Sequence, residues 1–209
     1  SSLSRARRAV YGGDENRFCP MRTRVKDLLA SGELGRIVSI ESVQADYGES
    51  PSGYLLDPLQ GGCLYDMGCY AVGWFEDLLA GACEVSSREV RWRDVSGGRV
   101  DWADEIHMSV GGIPIHMVCD GKATYESRLT IACERGSLEI ERLHRPELAH
   151  VKYSDGRTLE INAPFEVEIY GEIQHATQLI QAGKLESPIM SLAATQRCAH
   201  IIDAIRLAL

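Results

Sequence analysis

The chain has 209 residues, 44% hydrophobic and 25% charged, the balance of a globular protein that buries a core rather than a disordered or collagen-like chain. With 30 acidic against 22 basic residues the net charge is −8, which repels nucleic-acid backbones. The longest stretch without Asp, Glu, Lys or Arg, residues 106–119, falls short of the roughly 20 apolar residues of a bilayer span; with no secretion signal, a cytoplasmic chain without membrane or nucleic-acid partners is expected.

Residues 1–19 read as a linker or the remnant of a junction, with a basic Ser1–Val10 segment broken by Gly12-Gly13-Asp14. Arg5, Arg7 and Arg8 there suit a solvated face. From Pro20, Met21, Val25, Leu28 and Leu29 recur at helical spacing, and Gly32 stands where a C-terminal cap belongs. Leu34–Tyr47 is expected to be a strand. Val38 and Ile40 share one phase and Val43 and Ala45 the other, which predicts a bulge near Glu41–Ser42. Gly48 to Gly62 is rich in breakers and is expected to loop. From Asp66 a second helix is predicted, with Met67, Tyr70, Ala71, Trp74, Phe75 and Leu78 on its apolar face and Gly81 at its end.

The middle of the chain alternates with period two through residues 105–119 and 125–133, and Gly111-Gly112 and Asp155-Gly156 are hairpin-turn dipeptides. Strands so joined are antiparallel, and one-sided alternation means one covered face. Two helices close the chain. One carries a stripe of Ile169, Tyr170, Ile173, Thr177 and Ile180 ended by Gly183. The other is capped by Ser191 and carries Leu192, Ala199, Ile202, Ile205 and Leu209. The order predicts an α+β domain over residues 20–209: an open, largely antiparallel sheet with helices packed on one face, and no Rossmann domain.

The seven cysteines are scattered, without a C-x-x-C pair, and the six histidines without an H-E-x-x-H; neither a disulfide framework nor a metal site is expected. His107 and His116 alternate with apolar neighbours and are assigned to the exposed face, His175 and His200 to helix surfaces or packing, and Trp92 and Trp102 to packing beside a loop. No G-x-G-x-x-G, G-x-S-x-G or phosphate-loop motif is present.

One segment carries more chemistry, residues 56–70. A glycine pair, Gly61-Gly62, lets backbone approach a ligand closely, and a helix follows. Asp66 and Tyr70 are four apart, one turn and roughly 6 Å of rise on the same side of a helix. Such a pair suits proton handling, or else Asp66 caps the helix and Tyr70 packs. Ionising a phenol of pKa about 10 at pH 7 costs about 4 kcal/mol, and the Asp66 anion raises that cost. A cation is needed, and Lys26, Lys122, Lys152 and Lys184 show no sign of approaching Tyr70. The missing charge points outside the chain.

The run Gly61-Gly62-Cys63-Leu64-Tyr65-Asp66-Met67-Gly68-Cys69-Tyr70-Ala71-Val72 resembles the second-domain signature of the glucose–fructose oxidoreductase / inositol dehydrogenase (Gfo/Idh/MocA) superfamily. Three further pieces fit in order: Glu15-Asn16-Arg17-Phe18-Cys19-Pro20, Ser31-Gly32-Glu33-Leu34-Gly35-Arg36-Ile37, and the Tyr170…Glu172-Ile173 helix with Ser191-Leu192 and the closing Ile202–Ala208 helix. The resemblance covers about residues 15–209. It implies the substrate-binding and catalytic C-terminal half of an NAD(P)-dependent oxidoreductase acting on a sugar, polyol or related carbonyl compound. NAD or NADP would be bound mainly by an N-terminal domain absent from this sequence, leaving this chain inactive alone. That domain also carries the family's Glu-Lys-Pro lysine, the cation the phenol requires.

By the same resemblance Asp66 matches the active-site aspartate. Tyr70 falls where many members have histidine and a branch resembling glucose–fructose oxidoreductase, xylose dehydrogenase and dihydrodiol dehydrogenase has tyrosine. Tyr70 and Asp66 are thus the implied catalytic residues, and Gly61, Gly62 and Arg17 the candidate contacts to a small-molecule substrate. Cys63 replaces a common third glycine, and Tyr54 stands where some members have arginine. A homodimer or higher homo-oligomer through the open sheet face is also implied. The alternative is a non-catalytic regulatory or ligand-sensing relative of the same fold.

Overall fold

The computed structural model describes residues 15–45, 53–121, 127–167 and 169–208. The Ser1–Val10 segment with Arg5, Arg7 and Arg8, the Gly12-Gly13-Asp14 break, residues 46–52, Lys122, Tyr125 and Leu209 lie outside the described residues.

Among the described residues four α-helices and eight strands follow in chain order. They are α1 (Pro20–Ala30), β1 (Ile37–Ala45), α2 (Cys69–Leu78), β2 (Cys83–Val95), β3 (Gly98–Val110), β4 (Ile113–Asp120), β5 (Arg128–Cys133), β6 (Gly136–Glu141), β7 (Leu148–Tyr153), β8 (Thr158–Asn162), α3 (Tyr170–Gln181) and α4 (Leu192–Leu207). The strands make one sheet in the order β2-β3-β4-β1-β5-β6-β7-β8. Every neighbouring pair is antiparallel except β1 and β4, which run parallel. The architecture is the expected open α+β sheet. The place of the first strand at its centre is new.

The alternation read in the sequence is the burial pattern of the sheet. Ile106, Met108 and Val110 of β3 and Ile115, Met117 and Cys119 of β4 are buried, whereas Glu105 and His107 between them are exposed. The buried rows join Met21 and Val25 of α1, Trp74 and Phe75 of α2 and Ile201 and Ile205 of α4 in one core. Helices α1, α2 and α4 therefore cover one face and leave the other to solvent.

Local chemistry sets the element ends. Pro20 opens α1 where its missing N–H costs nothing, and Gly32 follows the helix at φ +75°. Ser191 Oγ accepts from Ala194 N at 3.1 Å and caps α4. Gly111-Gly112 and Asp155-Gly156 turn the β3–β4 and β7–β8 hairpins.

Three expectations change. The irregularity in β1 lies between Ile37 and Ser39, not at Glu41–Ser42. Beyond it Ile40, Ser42 and Gln44 stay in one phase and face inward opposite Ile115, Met117 and Cys119. Two polar side chains on the covered face had disguised the register. Trp92 and Trp102 flank the turn at residues 96–97 but belong to the long strands β2 and β3. As an edge strand that exposes residues on both sides, β2 lacks the apolar alternation that marks a half-buried strand. The α3 stripe is solvent-exposed, with Tyr170 at 63% and Ile180 at 66% relative accessibility, and only Leu179 of that helix is buried.

Candidate active site

The second helix begins earlier than Asp66. A wide π turn, Leu64–Gly68, leads into α2, so Asp66 lies inside helical backbone and is not its cap. The cap comes from across the fold: Asp101 of β3 accepts the Leu64 N–H at 2.9 Å. The glycine pair is shaped by the same packing. A Cβ on Gly61 would sit 2.5–2.7 Å from the carbonyl oxygens of Leu55, Tyr54 and Asp57, and one on Gly62 (φ +97°) would collide with the Asp101 carboxyl. The close approach expected for a ligand is made by the chain itself. Gly61 also lines a cleft of about 460 Å³ with Leu64, Tyr65, Trp92 and Arg99.

Asp66 and Tyr70 lie on the half-exposed side of this helical segment. Tyr54 Oη donates to Asp66 Oδ1 at 2.5 Å, and Tyr70 Oη donates to Glu15 Oε1 at 3.0 Å. Two phenol–carboxylate pairs, Tyr54–Asp66 and Tyr70–Glu15, thus stand one helical step apart. Burial drives the Tyr70 hydroxyl well above the usual phenol range, and Glu15, Cys69 and Asp66 push it the same way. Each of these influences raises it; none comes from a cation.

Glu15 and Tyr54 are the members that sequence reasoning passed over as site residues. Glu15 had been noted only within the entry stretch, and Tyr54 only as a departure from arginine. A tyrosine before the loop and a glutamate five residues before Pro20 have no fixed spacing to Asp66, so only the folded chain joins them.

Arg17 is held elsewhere. It is 6% exposed, donates to Gly73 O at 3.2 Å and pairs with Glu76 in the body of α2. Its guanidinium is engaged in packing the Glu15–Phe18 turn onto α2, not in a contact beside Asp66 or Tyr70.

Behind the glycine pair lies a buried charged cluster. Arg88 Nε donates to Asp104 Oδ1 at 2.6 Å and its Nη2 stands 3.8 Å from Asp101 Oδ2, while Cys63 Sγ donates to Asp104 Oδ2 at 3.3 Å. One guanidinium faces two carboxyls. Burial, and then the Asp104 carboxyl beside it, push Asp101 up to about 7. Burial also raises the Cys63 thiol far above its usual range, so it is no nucleophile.

The helix start after the glycine pair does not fit the phosphates of a dinucleotide. The helix start that follows the glycines is filled by the Asp101 carboxyl, and β1–β4 is the one parallel pair among the described strands. Anion binding at a strand-to-helix turn needs that start open.

A family model described as the GFO/IDH/MocA C-terminal domain matches residues 23–139, more than half of the chain. The chain belongs to that family. Among solved structures, this Gfo/Idh/MocA C-terminal domain is similar to KijD10, a 3-ketoreductase from Actinomadura kijaniata in complex with NADP and TDP-benzene. The TM-score is 0.81 at 18% identity, covering 96% of this chain and 62% of that one. The aldose-aldose oxidoreductase from Caulobacter crescentus complexed with glycerol matches with a TM-score of 0.79 at 18% identity, covering 96% and 62%. At that identity the likeness shows a shared fold. The Gfo/Idh/MocA domain spans about 62% of the length of these two structures. No curated protein matches the chain.

Proposed function

We propose that this chain is the substrate-binding and catalytic half of an NAD(P)-dependent oxidoreductase whose substrate is a sugar, a polyol or a related carbonyl compound. In this reading the hydride carrier, NAD or NADP, is held mainly by an adjoining dinucleotide-binding domain, which agrees with the Asp101 carboxyl filling the helix start after the glycine pair. The observation that carries the reading is the placement of the Tyr70 hydroxyl, 3.0 Å from Glu15 Oε1 and on the same half-exposed side of the helix as Asp66. A phenol held protonated is a proton donor to a substrate oxygen that gains electrons. Returning that proton requires the cation that the resemblance places in the adjoining domain. Asp66, fixed by Tyr54, orients substrate hydroxyls.

Two features support an adjoining domain. The α3 stripe is apolar and exposed, and beside it Phe18, Phe165, Val167 and Tyr170 line a cavity of about 350 Å³. The open sheet face is assigned to a second copy in the same proposal. It is polar, with Glu41, Glu105 and His107 exposed, so such a contact would rest on charged rows; sedimentation that finds only monomer removes it.

The test joins the native upstream coding region and assays hydride transfer over a panel of sugars and polyols. On a substrate that turns over, Tyr70→Phe is expected to lower kcat by about 10²–10⁴-fold. Full activity in that variant ends the assignment. No turnover on any substrate, with sugar binding retained, would favour the ligand-sensing relative.

A further inference from the structure

The hairpin β3–β4 brings together a set of side chains that sequence spacing hides. The Gly111-Gly112 turn fixes the register so that His107 stands directly opposite His116. Glu105 is two residues before His107 on the same strand and shares its face. Glu105 Oε1 lies 3.0 Å from His116 Nε2 and 4.0 Å from His107 Nε2. The three ligand atoms lie within 4.8 Å of one another.

We infer that Glu105, His107 and His116 form a zinc-binding site on the open face of the sheet. Two imidazoles and a carboxylate are a common zinc donor set, and three protein ligands leave a fourth position for water. Tetrahedral zinc with bonds of about 2.0–2.2 Å separates its ligand atoms by roughly 3.3–3.5 Å. The observed 3.0 and 4.0 Å bracket that spacing. The imidazole rings are stacked at 4.6 Å and 9°, so rotation about the Cβ–Cγ bond of exposed His107 must turn its nitrogen toward the shared point.

The surroundings favour a cation. Glu41 pairs with His116 from β1, and Glu89 pairs with Glu105 from β2, both exposed on this face. The cations on this face are already paired: Arg128 Nη2 lies 3.5 Å from Glu41 Oε1, and Arg91, two residues after Glu89, lies 2.6 Å from Asp120 Oδ1. The sheet supplies rigidity. Adjacent strands hold the three backbone positions, and only side-chain torsions remain to be fixed. The other grouping of cysteine and carboxylates, Cys63 with Asp101 and Asp104, is enclosed and already faces Arg88, so it has no comparable claim on a metal.

The experiment titrates the full chain with zinc chloride in a calorimeter, and separately with Co²⁺ in the visible spectrum. One ion per chain is expected, with tetrahedral d–d bands and no thiolate charge-transfer band. His107→Ala and His116→Ala are each expected to weaken binding at least tenfold, since even the loss of an outer partner costs about that much. Both residues are on the open face, so the variants are expected to keep the wild-type circular dichroism spectrum. The inference is overturned if the wild type shows no saturable binding, if the double variant binds as tightly, or if Co²⁺ reports thiolate ligation. The cobalt spectrum of the wild type alone suffices should a variant misfold.

Discussion

Asp101 stands where a helix begins, a glycine pair ends and a buried arginine meets two carboxyls. It accepts the Leu64 N–H and leaves no room for a side chain at Gly62. Its carboxyl is raised to about 7, against about 3.9 in an unfolded chain. A raised value means that the folded state holds the proton more tightly. The resulting stabilisation is complete below about pH 4 and is lost as the pH rises through 7. Asn imitates the protonated form: its oxygen accepts from Leu64 and its amide donates to Asp104. Asp101→Asn is therefore expected to gain about 2.5 kcal/mol on wild type between pH 5 and pH 8, read from urea unfolding at both values. An unchanged difference across that range would show that Asp101 is ionised in the folded protein.

Asp66 and Tyr70 were legible in the sequence because a helix places residues four apart on one side. Their partners Glu15 and Tyr54 were not, since no local pattern ties a glutamate 55 residues away to Tyr70. His107 and His116 lay between these cases. Each was assigned correctly to the exposed face, and the glycine pair between them fixes their pairing, yet a search for H-x-x-x-H spacing passes over it.

At the scale of elements, Glu76 of α2 accepts from Arg17 in the entry turn and from Arg197 of α4, and so joins three segments. Arg17 and Glu76 are both nearly inaccessible, with side-chain exposures of 2% and 4%. Removing Glu76 takes away the carboxylate that accepts from Arg17 and leaves Asp77 at 4.0 Å as a more distant one. Glu76→Ala is expected to cost about 1.5–3 kcal/mol in urea unfolding, the range for a hydrogen bond to a charged group. A loss below about 1 kcal/mol would mean that water reaches Arg17 without unfolding. The helices were legible because their apolar residues recur with the helical period. The β1 bulge and strand β2 were not. In β1, Ser42 and Gln44 face the core where apolar residues were awaited, and β2 has no fully buried residue.

For the whole molecule, the class of fold followed from the order of elements, but the sheet order did not. Placing β1 between β4 and β5 depends on contacts such as Ile40 with Ile115 and Ile131, far apart in the chain and without a local signature. The exposed α3 stripe carries a prediction at this scale. Replacing Ile173 and Ile180, both more than half exposed, with glutamate is expected to change the stability of this chain by less than about 1 kcal/mol. In a chain that carries the proposed dinucleotide-binding domain, the same double substitution is expected to loosen the domains, seen as faster proteolysis of the junction. Unfolding of the isolated chain would show instead that the stripe belongs to its own core.

The π turn at Leu64–Gly68 has a consequence for how this region tolerates change in length. Excising one residue would let the backbone wind into an ordinary α-helix and swing everything upstream by about 100° around the axis. Gly62 would then rotate away from Asp101, and Tyr54 away from Asp66. A deletion that a surface loop absorbs would here act as a crank on the candidate site.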